Sequence, residues 1–359
     1  MDSERNFQPD RNLRLMDQVR QVLRYYHYRY RTEQTYCKWI LRYVRHHGGK
    51  THPKTMGKAE IESFLSHLAV RDRVSASTQR QALNAIMFLY RKVLGMDIRE
   101  KIAPVKAKRR KRPPVVLTQR QVQDMLNHMH GIHKLMAQLI YGSGLRLTEC
   151  IRLRIQNLDF EMHRIRVIDG KGGKDRDTVM PRLLKPALYE QVANVRKIHD
   201  QDITQGYGGV YIPAALKRKY PNASREFRWQ YLFPAKKLSV DPRSHAKQRH
   251  HVLESGLQKA VKRAADGMGI LKRVGCHTLR HCFATHALEN GCNIRMVQKL
   301  MGHSDIRTTE VYLHVMDKSL ADVESPLDRG SKLHDFSGDC TINEAGHSQR
   351  GSDPSDQSD

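Results

Sequence analysis

Hydrophobic residues return at helical spacing through the first third of the chain. The pattern i, i+3, i+4 and i+7 predicts a helix opening at Leu15, a second with Thr32 as its N-cap, a third along residues 61–68 and a fourth from about Ser77. Because such stripes normally face a core, residues 15–98 are expected to form an all-helical domain. Residues 1–14 precede it as an N-terminal extension.

Helical and strand patterns alternate further along the chain. Thr118 is a candidate N-cap, and residues 164–168 alternate as a strand that pairs with 177–180 across a glycine-rich turn at 169–174. Further helices are predicted at residues 252–268, 277–289, 294–301 and 306–315. The expected fold class is therefore mainly α with a small β-hairpin or sheet, with an α+β domain over residues 115–325.

Three segments interrupt the periodicity. Residues 99–114 predict a linker that contains the basic side chains Lys106, Lys108, Arg109, Arg110, Lys111 and Arg112. Residues from about 199 to 249 are rich in glycine and proline and predict an insertion that contains the basic run Lys217, Arg218 and Lys219. Residues 326–359 are rich in Ser, Asp and Gly and are expected to be disordered.

The formal net charge of the chain indicates which class of molecule it binds. The 359 residues carry a formal net charge of +26, but residues 333–359 alone carry −5, so the rest of the chain carries +31. A field of this sign favours a polyanion, and nucleic acid is the leading candidate. Basic runs are often merely solvated, but in this context the linker and insertion lysines and arginines are expected to bind DNA phosphates.

The distribution of apolar residues and cysteines excludes several other classes. The apolar runs are short and the first ten residues are polar, which predicts no membrane partner, no signal peptide and a cytoplasmic, DNA-associated protein. The six cysteines form no CxxC pair, which argues against a disulfide framework or a zinc ribbon.

Five short polar motifs follow one another in the second domain. They read GLRLTE from Gly144, KGGK from Lys171, HTLRH from His277, LMGHS from Leu300, and Tyr312 nine residues after His303. In this order they resemble the tyrosine recombinase (phage integrase) family, over residues 15 to about 325. The resemblance implies a two-domain, C-shaped DNA clamp and the catalytic set Arg146, Lys171, His277, Arg280, His303 and Tyr312.

The chemistry of these residue types suits phosphodiester cleavage. The guanidinium groups of Arg146 and Arg280 match the oxygens of a phosphate. Tyr312 is the expected nucleophile and forms a 3′-phosphotyrosine, while cationic neighbours and a base, His277 or His303, would activate it. Lys171 is the candidate general acid for the leaving 5′ oxygen, with Lys174 as the fallback. No metal and no cofactor is needed.

Each motif has a structural alternative. His277 and His281 have the spacing of a zinc pair, although Arg280 between them opposes a cation. Arg146 and Glu149 are spaced as a helix salt bridge, and Tyr312 has the surroundings of a core residue. Gly172 and Gly173 are interpreted as a tight turn rather than a phosphate cradle.

The insertion resembles the extra segment of integron integrases. That resemblance implies integration and excision of gene cassettes, including sites folded from single-stranded DNA into hairpins. Base contacts at extrahelical nucleotides are expected from Trp229, Pro242, His250 and His251. The alternative is that Trp229 and Phe233 only anchor the insertion on the domain.

The resemblance also implies an assembly. Four protomers would synapse two DNA sites, and each would donate its segment Asp317–Ser325 to a neighbour. Two other functions stay open at this point: a type IB topoisomerase-like enzyme that nicks and closes DNA, and a DNA-binding architectural protein without catalysis. Joining of two DNA molecules, relaxation of supercoils and a gel shift alone distinguish the three.

Overall fold

Helices dominate the computed structural model, which describes residues 7–98, 102–107, 114–168 and 175–313. The chain divides into two units, before and after residue 112. Among the described residues the strands are short and antiparallel, so the predicted class, mainly α with a small sheet, is confirmed. The predicted disordered tail and the segment Asp317–Ser325 lie outside the described residues.

The first unit is helical, as its periodicity predicts. Its helices are α1 (Leu15–Tyr25), α2 (Tyr30–His46), α3 (Lys58–Val70) and α4 (Ala76–Phe88), the last continuing as a π-helical turn over Leu89–Val93. The N-cap prediction for Thr32 is wrong. Arg29 has the extended backbone of the cap, and the Thr32 N–H donates to the Arg29 carbonyl inside the first turn.

Part of the predicted linker is bound to this first unit. The Ala103 N–H donates to Glu62 Oε1 at 2.7 Å, and Gln79 Nε2 donates to the Val105 carbonyl at 2.7 Å. These bonds hold residues 102–107 against α3 and α4. Lys106 is exposed on this segment, and the other basic linker residues lie outside the described residues.

The second unit carries the remaining helices. They are α5 (Gln119–Asn127), α6 (Gly131–Ser143), α7 (Leu147–Ile151), α8 (Lys185–Thr204), α9 (Ala214–Lys219), α10 (Glu254–Gly267), α11 (Cys276–Glu289), α12 (Ile294–Met301) and α13 (Arg307–Glu310). Thr118 caps α5 as predicted, because its hydroxyl accepts the Gln121 N–H at 3.1 Å.

A three-stranded antiparallel sheet lies within the second unit. Its order is β1-β2-β3, with β1 (Leu158–Asp159), β2 (Arg164–Val167) and β3 (Arg176–Val179). The β2–β3 register, Arg164 opposite Val179, confirms the predicted hairpin. Strand β1 was not predicted, since two residues are too few to show an alternating pattern. A second hairpin joins β4 (Ser239–Val240) to β5 (Lys247–Gln248).

Helix α8 extends into the predicted insertion and was not predicted. Its buried face is made by Leu188, Gln191, Val195, His199 and Asp202, which follow helical spacing. Three of these five side chains are polar, so hydrophobic periodicity cannot reveal the face. The first residues of the predicted insertion, from about 199 to Thr204, are therefore helical.

Helix α11 is the centre of the second unit. It packs against α5, α6, α10 and α12, and the side chains of Leu279, Cys282 and Phe283 are buried around it. Because α11 carries the HTLRH motif, this packing fixes the motif beside the end of α6 and the end of α12.

Candidate functional site

Arg146 is fixed at the junction between α6 and α7. Helix α6 ends at Gly144, whose backbone is left-handed with φ +62, and Arg146 then caps α7. The Arg146 N–H donates to Glu149 Oε2 at 2.8 Å and its guanidinium donates to Glu149 Oε1 at 2.7 Å. A further donor binds the Gly302 carbonyl at 3.0 Å. The guanidinium is thus oriented towards the end of α12.

Arg280 approaches the same point from α11 and is 4% exposed. One of its terminal nitrogens donates to the Gly144 carbonyl, and the other donates to the Met301 carbonyl at 2.5 Å. Arg146 and Arg280 therefore bind neighbouring carbonyls, those of Gly302 and Met301. The two arginines that the sequence predicts as phosphate ligands lie together.

A third arginine, which the sequence analysis missed, completes this cluster. Arg176 at the start of β3 donates to Glu149 Oε1 at 3.0 Å, to Glu149 Oε2 at 2.7 Å and to the Leu300 carbonyl at 2.8 Å. The available signal was strand alternation, which places Arg176 on the same face as the buried Thr178.

The arginine cluster, Arg146, Arg176 and Arg280, surrounds a single carboxylate. Burial alone would raise the pKa of Glu149, but the hydrogen bonds and charges of Arg176 and Arg146 outweigh it and lower that pKa to about 2. Burial, followed by the charge of Arg146, lowers the pKa of Arg280 to about 9. Three cations against one anion leave an excess positive charge, which suits a phosphate.

His303 and Tyr312 lie beside this cluster. Gly302 ends α12 in a left-handed conformation, and His303 follows it. His303 Nε2 lies 3.3 Å from the terminal nitrogen of Arg280, and Nδ1 lies 3.0 Å from Thr309 Oγ1. The rings of His303 and Tyr312 are nearly parallel, with centroids 6.4 Å apart.

Tyr312 is buried, with 3% exposure, and its hydroxyl contacts a residue that had no assigned catalytic role. Tyr312 Oη lies 2.9 Å from His281 Nδ1. Burial raises the pKa of Tyr312, while the charges of Arg280 and Arg146 lower it in part. His277 is exposed at the start of α11, with its ring 6.4 Å from that of His281.

The His277–His281 pair was also tested as part of a metal site. Among the residues that the structure describes, no group of three or more His, Cys, Asp or Glu side chains is placed to hold a metal ion. His281 instead contacts Tyr312.

Comparisons with known proteins agree with this geometry. A model of the phage integrase family matches residues 115–319, and a model of the phage integrase N-terminal SAM-like domain matches residues 15–100. Together they span most of the chain. The protein belongs to the phage integrase family of tyrosine recombinases.

Relatives share nearly the whole length of the recombinase. Proteins named integrase/recombinase from Escherichia coli and Pseudomonas aeruginosa are each 45% identical over 320 residues, covering 89% of this chain and 95% of theirs. The tyrosine recombinase XerD of Halalkalibacterium halodurans is 28% identical and covers 81% of this chain and 89% of its own. The enzyme is a tyrosine-type site-specific DNA recombinase.

Solved structures share the fold of the recombinase at low sequence identity. The Tn1549 transposon integrase, in complex with transposon right end DNA, has a TM-score of 0.55 at 15% identity, over 90% of this chain and 99% of that one. The XerH recombinase bound to a palindromic difH substrate has a TM-score of 0.51 at 18% identity, over 79% and 76%.

The structure describes only some of the other residues of the recombinase that are predicted to bind DNA. Lys217, Arg218 and Lys219 are exposed on α9. Lys171 and Lys174, in the segment between β2 and β3, lie outside the described residues.

Trp229 packs within the predicted insertion. Its ring joins a small cluster with Val210, Ile212 and Tyr231, and its carbonyl accepts a hydrogen bond from Arg154. The Arg154 guanidinium lies 5.8 Å from the Trp229 ring centroid. These contacts match the anchoring alternative for Trp229.

The other predicted base-contact residues of the recombinase differ in exposure. His251 is 9% exposed, and its Nδ1 lies 2.8 Å from the Val252 carbonyl. His250 is half-buried against Tyr231, and Pro242 is exposed between β4 and β5. Among the helices of the described residues, none is long and apolar enough to cross a membrane.

Proposed function

We propose that this recombinase cleaves DNA by attack of Tyr312 on a phosphodiester held by Arg146 and Arg280, leaving a 3′-phosphotyrosine. The observation that carries this assignment is the placement of both guanidinium groups on the neighbouring carbonyls of Met301 and Gly302. Tyr312 is close enough for both arginine charges to lower its pKa in part.

The two arginines retain donors for a phosphate. A guanidinium has five N–H donors, and the protein contacts described for each arginine engage only some of them. The non-bridging oxygens gain charge as the pentacoordinate transition state forms, so preoriented donors stabilise that state more than the ground state. Glu149 maintains the orientation because its carboxylate binds Arg146 directly.

The remaining catalytic roles come from the resemblance to the family. Lys171, in the segment between β2 and β3, donates a proton to the departing 5′ oxygen, with Lys174 as the fallback. The resemblance makes His277 and His303 the first candidates for positive charge or a base near the tyrosine. The phosphotyrosine bond keeps the energy of the broken phosphodiester, so the strand reseals without ATP, a metal or another cofactor.

The substrate class we propose is the integron cassette site, both as duplex and as a hairpin folded from one strand. The insertion supports this proposal through its anchoring. Arg249 donates to Asp202 Oδ1 and Oδ2 at 2.5 Å each, a nearly buried ion pair between α8 and the segment that leads to His250. A rigidly anchored insertion can present His250 and Pro242 to an extrahelical base at low entropic cost.

The assembly follows the same resemblance. We propose that four protomers synapse two sites by exchanging Asp317–Ser325, and that the protein works on chromosomal or plasmid DNA in the cytoplasm. The basic side chains Lys106, Lys108, Arg109, Arg110, Lys111, Arg112, Lys217, Arg218 and Lys219 then contact the DNA backbone.

One assay set separates this function from its alternatives. The protein is incubated with two labelled duplex sites, with a folded bottom-strand hairpin plus a duplex site, and with supercoiled plasmid. Joined products, most abundant with the hairpin, support the proposal. Relaxation without joining indicates a topoisomerase-like enzyme, and a gel shift with neither indicates an architectural protein.

Substitution of the phosphate ligands adds a second test of the site. Arg146→Ala and Arg280→Ala should abolish cleavage and leave DNA affinity nearly unchanged, because many other cations supply the affinity. Loss of binding together with cleavage would show that the two arginines are structural.

A further inference from the structure

The hydrogen bond between His281 and Tyr312 identifies a residue at the nucleophile that belongs to the HTLRH motif but not to the predicted catalytic set. His281 Nδ1 lies 2.9 Å from Tyr312 Oη, and the ring centroids are 5.6 Å apart. A proton acceptor must lie within hydrogen-bond distance of the proton that it removes. Among the histidines of the described residues, His281 is the one shown at that distance from the phenol.

The geometry of His303 argues against that role for it. A guanidinium can only donate, so His303 Nε2 accepts from Arg280 at 3.3 Å. In a neutral ring the proton then resides on Nδ1, which donates to Thr309 Oγ1 at 3.0 Å. Both nitrogens are engaged. The His303 ring lies nearly parallel to the Tyr312 ring, with the centroids 6.4 Å apart.

His277 has a different position. It is exposed at the first turn of α11, and its ring lies 6.4 Å from the ring of His281. The hydrogen bond of the Tyr312 hydroxyl is made to the ring of His281 and not to that of His277. Burial, then the charges of Arg280 and Arg146, lowers the pKa of His277 and so disfavours its cationic form.

We propose that His281 is a catalytic residue of strand cleavage and that its Nδ1 takes the proton of the Tyr312 hydroxyl as the phenol oxygen attacks phosphorus. The proposal rests on the function proposed above, in which Tyr312 is the nucleophile. The P–O5′ bond breaks as the Tyr312 O–P bond forms, and the 5′ oxygen takes a proton from the general acid. In the reverse step His281 returns its proton to the tyrosine oxygen.

The surroundings of His281 keep its ring neutral before DNA binds. The groups that face it are His277 and Arg280 on α11, His303 after α12, and Tyr312. Burial, then His277 and Arg280, lowers the pKa of His281 to about 4, so at pH 7 the ring has a free lone pair. A bound phosphodiester adds negative charge next to the ring and so favours the imidazolium during attack.

The first test is His281→Asn, which keeps a polar atom near the position of Nδ1 but removes the base. On a nicked suicide substrate we expect formation of the covalent adduct to slow by about 10²–10⁴-fold, the usual contribution of a general base. DNA affinity should be unchanged. Adduct formation at the wild-type rate would overturn the proposal. His281→Gln is the second variant should the first fail to fold.

A matched control is present on the same helix. His286 Nδ1 also lies 2.9 Å from a tyrosine hydroxyl, that of Tyr141, and His286 is 5% exposed. His286→Asn measures what the loss of a buried His–Tyr hydrogen bond costs in stability. It should leave the cleavage rate of the folded protein unchanged. Equal loss of cleavage in both variants would contradict a catalytic role for His281.

A second measurement separates proton transfer from a structural role. A trifluorotyrosine at position 312 has a more acidic phenol and needs a base less. In this background His281→Asn should cleave nearly as fast as the chain with His281. If His281→Asn slows cleavage as much in this background as with ordinary tyrosine, His281 does not act by taking the proton. No adduct with His281 intact and Tyr312 present would instead defeat the proposed function itself.

Discussion

Arg176 and Glu149 form a two-point ion pair between the start of β3 and α7. Their atoms are 2.7 and 3.0 Å apart, and both side chains are less than a tenth exposed. Arg176 also donates to the Leu300 carbonyl, so one guanidinium joins the sheet, α7 and the end of α12. Strand β3, which follows the segment containing Lys171, is thereby connected to the carboxylate that orients Arg146.

Loss of this ion pair should be costly. We expect Arg176→Met to lower the free energy of unfolding by about 3–5 kcal/mol, because it leaves the carboxylate of Glu149 buried with fewer partners. Urea unfolding measures the change. The control is Arg166→Met on β2, whose pair with Asp177 is 63% and 37% exposed and should contribute less than about 1 kcal/mol. Equal costs would contradict the account.

Gly302 is required for two separable reasons. Its φ is +61, and a Cβ at this position would lie 2.8 Å from Arg176 Cδ, which three hydrogen bonds hold in place. Gly291 also has a positive φ, +82, but a Cβ there would meet nothing within 4 Å. We expect Gly291→Ala to cost only the backbone strain, about 1–2 kcal/mol, and Gly302→Ala to cost more and to slow cleavage. Thermal unfolding measures the loss of stability in each variant, and adduct formation measures the cleavage rate. Identical results for Gly291→Ala and Gly302→Ala would mean that the Arg176 side chain moves aside at no cost.

Acid should destabilise the site through its histidines. Burial, then the charge of Arg280, lowers the pKa of His303 to about 4, below the usual value of 6.5. Between these values the unfolded chain binds a proton that the folded chain does not, so stability is present above pH 6.5 and falls as the pH drops to 4. In the variant His303→Asn, the free energy of unfolding should change less steeply with pH, by up to about 1.4 kcal/mol per pH unit. The free energy of unfolding of both proteins, measured at several pH values, tests this prediction. Identical slopes in the two proteins would contradict the lowered pKa of His303.

The basic run on α9 should contribute to salt-dependent DNA binding. Lys217, Arg218 and Lys219 are exposed, and each phosphate contact adds about 0.9 to the slope of log affinity against log salt. Replacing all three with alanine should reduce the slope by about 2–3 and weaken binding to all sequences alike. Titrations at several salt concentrations measure it. An unchanged slope would show that the run is only solvated.

Sequence patterns predicted most of the long elements but missed the longest helix, whose buried face is mostly polar. The helix containing His281, the β2–β3 hairpin and the cap at Thr118 follow from periodicity and turn chemistry. Helix α8 was missed because Gln191, His199 and Asp202 occupy its buried face. Polar side chains are buried there through partners distant in sequence, such as Arg249 for Asp202, and no local pattern encodes those partners.

In the site too, residues that belong to a recognised catalytic set were predicted, and residues that matter through distant contacts were not. The resemblance of the motifs to the tyrosine recombinase family implied that Arg146, Arg280, His303 and Tyr312 share one site, and the structure places them together. Arg176 and His281 were given no catalytic role, because their importance lies in contacts across 27 and 31 residues of chain. Such pairings depend on the packing of α11, α12 and the sheet.

The most direct test of the account is a covalent adduct assay on a nicked suicide substrate, comparing the wild-type chain with Tyr312→Phe. Tyr312→Phe removes only the hydroxyl and keeps the buried ring, so the fold and DNA binding should persist. The account predicts a protein–DNA adduct that survives denaturation in the wild type and is absent in Tyr312→Phe. An adduct that forms equally in both, or a wild type that binds DNA without forming any adduct, would contradict it.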